Sequence, residues 1–200
     1  MAILTPAAIL CSPVLHAALP TAPEISGRTS LAGELLIAAP SLRDPFDHAV
    51  ILVAQHDHNG ALGIVINQPL APRPIAAILA ALGADAGDVS GKVPIFLGGP
   101  VGPNTAFALH SADYRRTHTI DIDTKVALSD AVEVLRDIGT GHGPKQSLIA
   151  FGYAGWAPQQ LDDEIAHGAW VAAPENPALV FDTDRAKVWT DALALYKGEH

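Results

Sequence analysis

Cysteine is almost missing from this chain: the single residue, Cys11, rules out an intramolecular disulfide and any zinc site built on paired cysteines. Basic residues are sparse as well, 12 Lys and Arg against 21 Asp and Glu, and only Arg115 and Arg116 stand side by side. There is thus no basic stripe to neutralise phosphates, which makes a direct DNA-binding regulator the weakest of the function classes weighed. Nearly half the residues are apolar (49%), yet no uninterrupted run reaches the roughly 18 residues needed for a membrane-spanning helix, so no membrane span is expected. Catalytic spacings are missing too. No G-x-S-x-G elbow, G-x-x-x-x-G-K-[ST] loop, G-x-G-x-x-G turn or H-E-x-x-H helix occurs, so no catalytic residue, cofactor or metal is assigned.

The first segment, "MAILTPAAILCSPVLHAALPTA", carries no charge. It resembles the apolar part of an export signal, but no Lys or Arg precedes Arg28, and Pro6, Pro13 and Pro20 interrupt it. Residues 1–30 are therefore read as an apolar, disordered extension and 31–200 as one domain. The lone cysteine fits a reducing cytoplasm, which is the expected compartment; export through the apolar segment is the alternative.

From Gly33 onward the pattern is that of buried strands: "GELLIAA", "HAVILVAQ" and "ALGIVIN" are rich in apolar and β-branched residues. Asn59-Gly60 suits a tight turn, so the second and third should form a hairpin. "PIAAILAALG" predicts a helix, with Pro74 in its first turn, Ile75, Ile78, Leu79 and Leu82 on one face, and Gly83 at its stop. "VPIFL" and "TAFAL" flank "GGPVGPN" as strands, and "HTIDIDTKVAL" alternates like a half-exposed one. A second helix is expected to take Ser129 as its N-cap. "SLIAFGY" is a further buried strand, "PQQLDDEIAHG" a short helix entered at Pro158, "WVAAP" and "ALVF" short strands, and residues 184–196 a final helix. Hairpins and single helices without regular alternation indicate an α+β fold.

Among residues able to do chemistry, His56 and His58 point to one side of an extended chain, with Asp57 able to add an oxygen and His110 to join from elsewhere. "GGPVGPN" could form a nest of N–H groups for an anion, although glycines there also simply permit sharp turns. Asp162, Asp163 and Glu164 lie where the helix dipole favours negative charge, which accounts for them without catalysis. Tyr153 and Trp156 beside Gly152 and Gly155 read as a packed corner with a possible binding edge.

Taken together, "GELLIAAPSLRDPFDHAVILVAQHDHNGALGIVINQPL", "FLGGPVGPNTAFALHS" and "FGYAGWAPQQLDDEIAHGAWVAAP" resemble the AlgH (YqgE) family of bacterial proteins of poorly defined function. The resemblance covers nearly all of residues 33–196. It departs from the family pattern where Ala157 and Gln159 replace glycines. It implies a single α+β domain with a strongly curved, bifurcated mixed sheet approaching a barrel, and helices packed around it. It transfers no catalytic residue. The expected function is a non-catalytic, cytoplasmic binding or regulatory module that acts indirectly on transcription through an unidentified protein or small-molecule ligand. Its contact surface is placed near Asn67, Gly98, Gly99, Pro100, His110, Tyr153 and Trp156, because binding residues tend to sit on loops. The alternative is a metal-assisted hydrolase-type enzyme using His56, Asp57 and His110.

Overall fold

The computed structural model describes residues 30–181 and 184–197; all of the N-terminal extension except Ser30 lies outside the described residues. The hairpin expected at Asn59-Gly60 is present, joining β2 (Val50–Asp57) to β3 (Gly60–Val65), with β1 (Glu34–Ala38) antiparallel on the far side of β2. β10 (Trp170–Pro174) then pairs antiparallel with β1.

The centre of the sheet is β9 (Ser147–Trp156). Its first half has parallel β5 (Lys92–Leu97) on one edge and antiparallel β6 (Val101–Ser111) on the other. On the β5 edge, its last three residues pair instead with β3. The sheet therefore forks along β9. One branch runs through β3, β2, β1 and β10; the other carries β5 with its edge partner β4 (Pro69–Pro74), and β6 leads on to β8 (Val126–Asp130) and β7 (Ile120–Asp121).

Gly152 makes the fork. It adopts φ 73°, in the left-handed region that favours glycine, and the local kink shifts the face parity of the strand by one. Before it, Leu148 and Ala150 face one core; after it, Tyr153 packs on that core, while Ala154 and Trp156 face another.

Both faces of the sheet are covered, which explains why the strands read as continuous apolar runs rather than clean alternations. The core shared by both branches takes Leu35, Ile37, Leu52, Ile64 and Leu109 from the strands. Val180 of α4 (Pro177–Phe181) and Val188 and Ala192 of α5 (Val188–Lys197) fill the hollow of the curled sheet from that side. On the outer face, α3 (Gln160–Ala166) covers one branch. α1 (Ile75–Ala81) and α2 (Ala131–Gly139) cover the other through Ile78, Leu79, Val134 and Leu135. The result is an α+β half-barrel plugged by helices, as the resemblance implied.

Several local expectations are corrected. "ALVF" lies in helix α4, where Asn176 Oδ1 accepts from Ala178 N–H and starts the turn. Pro74 precedes α1 as its N-cap residue rather than sitting in its first turn. The long alternating strand is broken into β7 and β8 by Asp123, whose Oδ1 accepts from the N–H groups of Lys125 and Val126. β4 escaped the pattern altogether. All six of its residues are exposed, and its three prolines are tolerated because it is an edge strand.

Candidate functional site

Around the fork, Gly98 and Gly99 cross β9 at a distance only glycine allows. A Cβ on Gly98 would stand 2.4 Å from the Gly152 carbonyl oxygen, and one on Gly99 would stand 2.2 Å from the Tyr153 carbonyl carbon. Gly98 also stitches the two branches together, donating to Phe151 O (2.7 Å) and accepting from Val65 N–H (2.9 Å). The "GGP" segment is thus a backbone interlock, and the Gly98 N–H, which an anion nest would need, is already engaged. Asn67 lies next to it, since Leu97 N–H bonds Gln68 O. The Asn67 side chain works for the fold, accepting from Val50 N–H at 2.9 Å and donating to His48 O at 2.8 Å. Tyr153 is half-buried, edge-on to Phe107 at 6.0 Å. Pro100 is exposed, and Leu97 and Val101 flank it with 40% of each surface open.

Trp156 belongs to a different place. It is buried and meets Trp170 edge to face at 6.1 Å. Both indoles donate to Glu164 Oε2, at 2.9 and 2.8 Å, while Gln160 Nε2 donates to Glu164 Oε1 at 2.8 Å and Gln160 Oε1 accepts from Ala157 N–H. Glu164 is therefore the acceptor that organises the corner, a role its sequence spacing did not signal. Entry into α3 runs through Gln159 with φ 65°, one of the two positions where the resemblance implied glycine.

His110 lies on β6 opposite Ser147, at the start of β9, wholly buried. Its Nδ1 donates to Ser111 O (3.0 Å), which leaves Nε2 to accept from the Ser129 hydroxyl (2.9 Å), in turn bonded to Thr119 Oγ1 (2.8 Å). Burial holds its pKa below the usual imidazole value. Hydroxyl and imidazole have the geometry of a nucleophile and its base, but Ser129 is also buried, so the chain of bonds serves to tie β6, β8 and the loop before β7 together. This use of Ser129 corrects its expected role as a helix cap; Asp130 caps α2 instead, accepting from Val132 N–H at 2.8 Å. Nearby, Asp137 Oδ2 accepts from Tyr114 Oη (2.6 Å) and Arg116 Nε (2.7 Å), while Arg115 pairs with Asp121 at 3.0 Å. Burial and the Asp137 carboxylate push the Tyr114 phenol up to about 12. The one adjacent pair of cations is thus engaged internally.

His56 and Asp57 do not join His110. His56 pairs with Ala61, which in turn lies opposite Trp156, so the two histidines sit at opposite ends of β9. His56 Nδ1 accepts from Leu31 N–H (3.1 Å) and Nε2 faces Asp162 Oδ2 at 3.4 Å; Asp57 Oδ1 caps the hairpin turn at Asn59 N–H. Among the described residues, no group of three or more His, Cys, Asp or Glu could hold a metal ion. No helix among them is long and apolar enough to cross a membrane. Of the sequence-predicted residues, then, the fold gathers Asn67, Gly98, Gly99, Pro100 and Tyr153 at the fork and leaves His110 and Trp156 apart.

A curled, forked α+β half-barrel with a glycine interlock at its centre defines the structural class. The chain belongs to the AlgH-like family, whose model matches residues 35–200. It is 40% identical over 173 residues to a UPF0301 protein of Methylococcus capsulatus, covering 86% of this chain and 94% of that one. To a UPF0301 protein of Sphingopyxis alaskensis it is again 40% identical, covering 83% and 89%. The solution structure of the AlgH protein from Pseudomonas aeruginosa is 33% identical with a TM-score of 0.71, covering 90% of this chain and 92% of that one. A crystal structure of a Corynebacterium diphtheriae protein, 20% identical with a TM-score of 0.60, shares the fold over 88% of this chain and 87% of its own.

Proposed function

We propose that this AlgH-family protein is a non-catalytic, cytoplasmic binding module that influences regulation indirectly, by docking a protein partner on the rim of the sheet fork. The observation that carries the reading is the exposure of Leu97, Pro100 and Val101 beside the Gly98–Gly99 interlock. Apolar side chains left in water on a rigid support cost little to order when a partner arrives. Exposed Leu70, opposite Ile95 on the adjoining edge strand, extends the apolar surface, and half-buried Tyr153 supplies an aromatic next to it. Residues 31–200 form the functional unit in this reading. A metal-assisted hydrolase is not carried forward, because its histidines occupy opposite ends of β9.

The test is photo-crosslinking in cells from position 101, with position 120 on the exposed edge strand β7 as control. A discrete crosslinked protein from 101, absent from 120 and lost on Leu97→Asp, is expected, and a chain of residues 31–200 should retain it. Equal crosslinking from both positions would remove the reading.

A further inference from the structure

A cleft of about 580 Å³ opens where the end of β10 meets α5, far along the sheet from the fork, and neither the family resemblance nor the docking rim accounts for it. Pro174, Pro177, Ala194 and Leu195 give it apolar walls, and Lys125, Glu175 and Asp191 give it charge. The volume falls within the range of small-molecule sites, as does the combination of apolar lining with a few convergent polar groups.

Glu175 is the unusual member. Its side chain keeps only 4% of its surface exposed, and its Oε1 is buried with no hydrogen-bond partner among the described residues. Burying a carboxyl oxygen without a donor is unfavourable by an amount comparable to a lost hydrogen bond, so such an oxygen in a cleft wall marks a place where a donor is missing. Among the described residues the cation that reaches Glu175 is Lys125, which meets Oε2 at the outer limit of an ion pair (4.0 Å) and is itself largely exposed. The Asp123 carboxylate lies against Glu175, Glu34 stands across the ladder from Pro174, and Asp191 faces the cleft from α5. Among the described residues, carboxylates thus outnumber the single ammonium around the cleft.

We propose that this cleft binds a small organic cation with a short apolar body, an alkylammonium or alkylguanidinium, whose N–H groups donate to Glu175 Oε1 while Asp191 supplies the second carboxylate. The apolar stem lies along Pro174, Pro177 and Leu195, and Lys125 swings toward solvent. Burial, reinforced by the neighbouring Asp123 carboxylate, raises the free Glu175 carboxyl to about 7. The cation binds the ionised form, so occupancy releases a proton near and below neutrality, and affinity falls as pH drops through that value.

The test is an NMR titration of the full chain with n-butylguanidinium and n-butylammonium, using n-butanol and butyrate as uncharged and anionic counterparts. Saturable shifts at the amides of Glu175, Asn176, Asp191 and Leu195 are expected with the two cations only, at millimolar affinity. Affinity should weaken about tenfold or more between about pH 8 and about pH 5.5. Glu175→Gln should lose about tenfold while remaining folded, and Asp191→Asn should lose a smaller factor. Absence of saturable cation shifts at about pH 8, equal binding of butyrate, or unchanged affinity in both variants would each overturn the proposal. These outcomes are independent of crosslinking at the fork, so either reading can fail alone.

Discussion

Trp156 and Trp170 stand edge to face, 6.1 Å apart, and send their indole N–H groups to the same oxygen of Glu164. The two rings come from β9 and β10, strands at separate positions in the sheet, and the carboxylate comes from the helix between them. One acidic side chain therefore locks a strand–helix–strand segment into a single packing arrangement.

Glu164→Ala should leave both indole donors without an acceptor and cost about 2–4 kcal/mol, since each unsatisfied donor is worth about 1–3 kcal/mol and the site is partly exposed. Glu164→Gln retains an acceptor oxygen and should cost less than half of that. Urea unfolding followed by tryptophan fluorescence measures both.

The glycine interlock predicts a sharp contrast among glycine-to-alanine variants. Gly98→Ala and Gly99→Ala force a Cβ onto backbone atoms and should destabilise by more than about 3 kcal/mol or prevent folding. Gly83→Ala meets nothing within 4 Å and suffers only from its φ of 74°, worth about 1 kcal/mol. Denaturant midpoints, or soluble yield where folding fails, would show the order.

Gln159 occupies a left-handed position at the entrance to α3 with its side chain exposed. Gln159→Gly should relieve the Cβ strain and raise stability by about 0.5–1 kcal/mol, even though glycine adds unfolded-state entropy. No gain in melting temperature would contradict the assigned conformation.

Two buried groups predict opposite pH trends. His110 has a lowered pKa, so below about pH 6.5 the unfolded chain binds its proton more readily, and stability falls with acidification. Glu175 is raised to about 7, so the folded state holds the extra proton, and stability falls as pH rises from about 4.5 through 7. His110→Gln should flatten the acidic limb, and Glu175→Gln should add about 1–2 kcal/mol above about pH 8 and little near pH 4. Unfolding curves across pH 4 to 9 separate the two.

Much of this architecture follows from local pattern alone. The β2–β3 hairpin rests on the turn at Asn59-Gly60, α1 on the spacing of Ile75, Ile78 and Leu79, and the buried strands on runs of β-branched residues. The sequence also marked the glycines of the fork, because conformational freedom is a property of the residue itself, while Gln159 stood out only through the family resemblance, which implies glycine there. Tertiary structure decided the rest, because each remaining role depends on a partner that the pattern along the chain does not select. The "ALVF" run becomes helix where the hollow of the sheet needs filling, and Ser129 turns from a helix cap to a partner of His110 because β6 lies beside it. Glu164 finds two tryptophans, and Glu175 Oε1 loses water without gaining a donor among the described residues. Periodicity reports which side of an element is apolar; which polar atom meets which, and which is left alone, is set only when the strands close around β9.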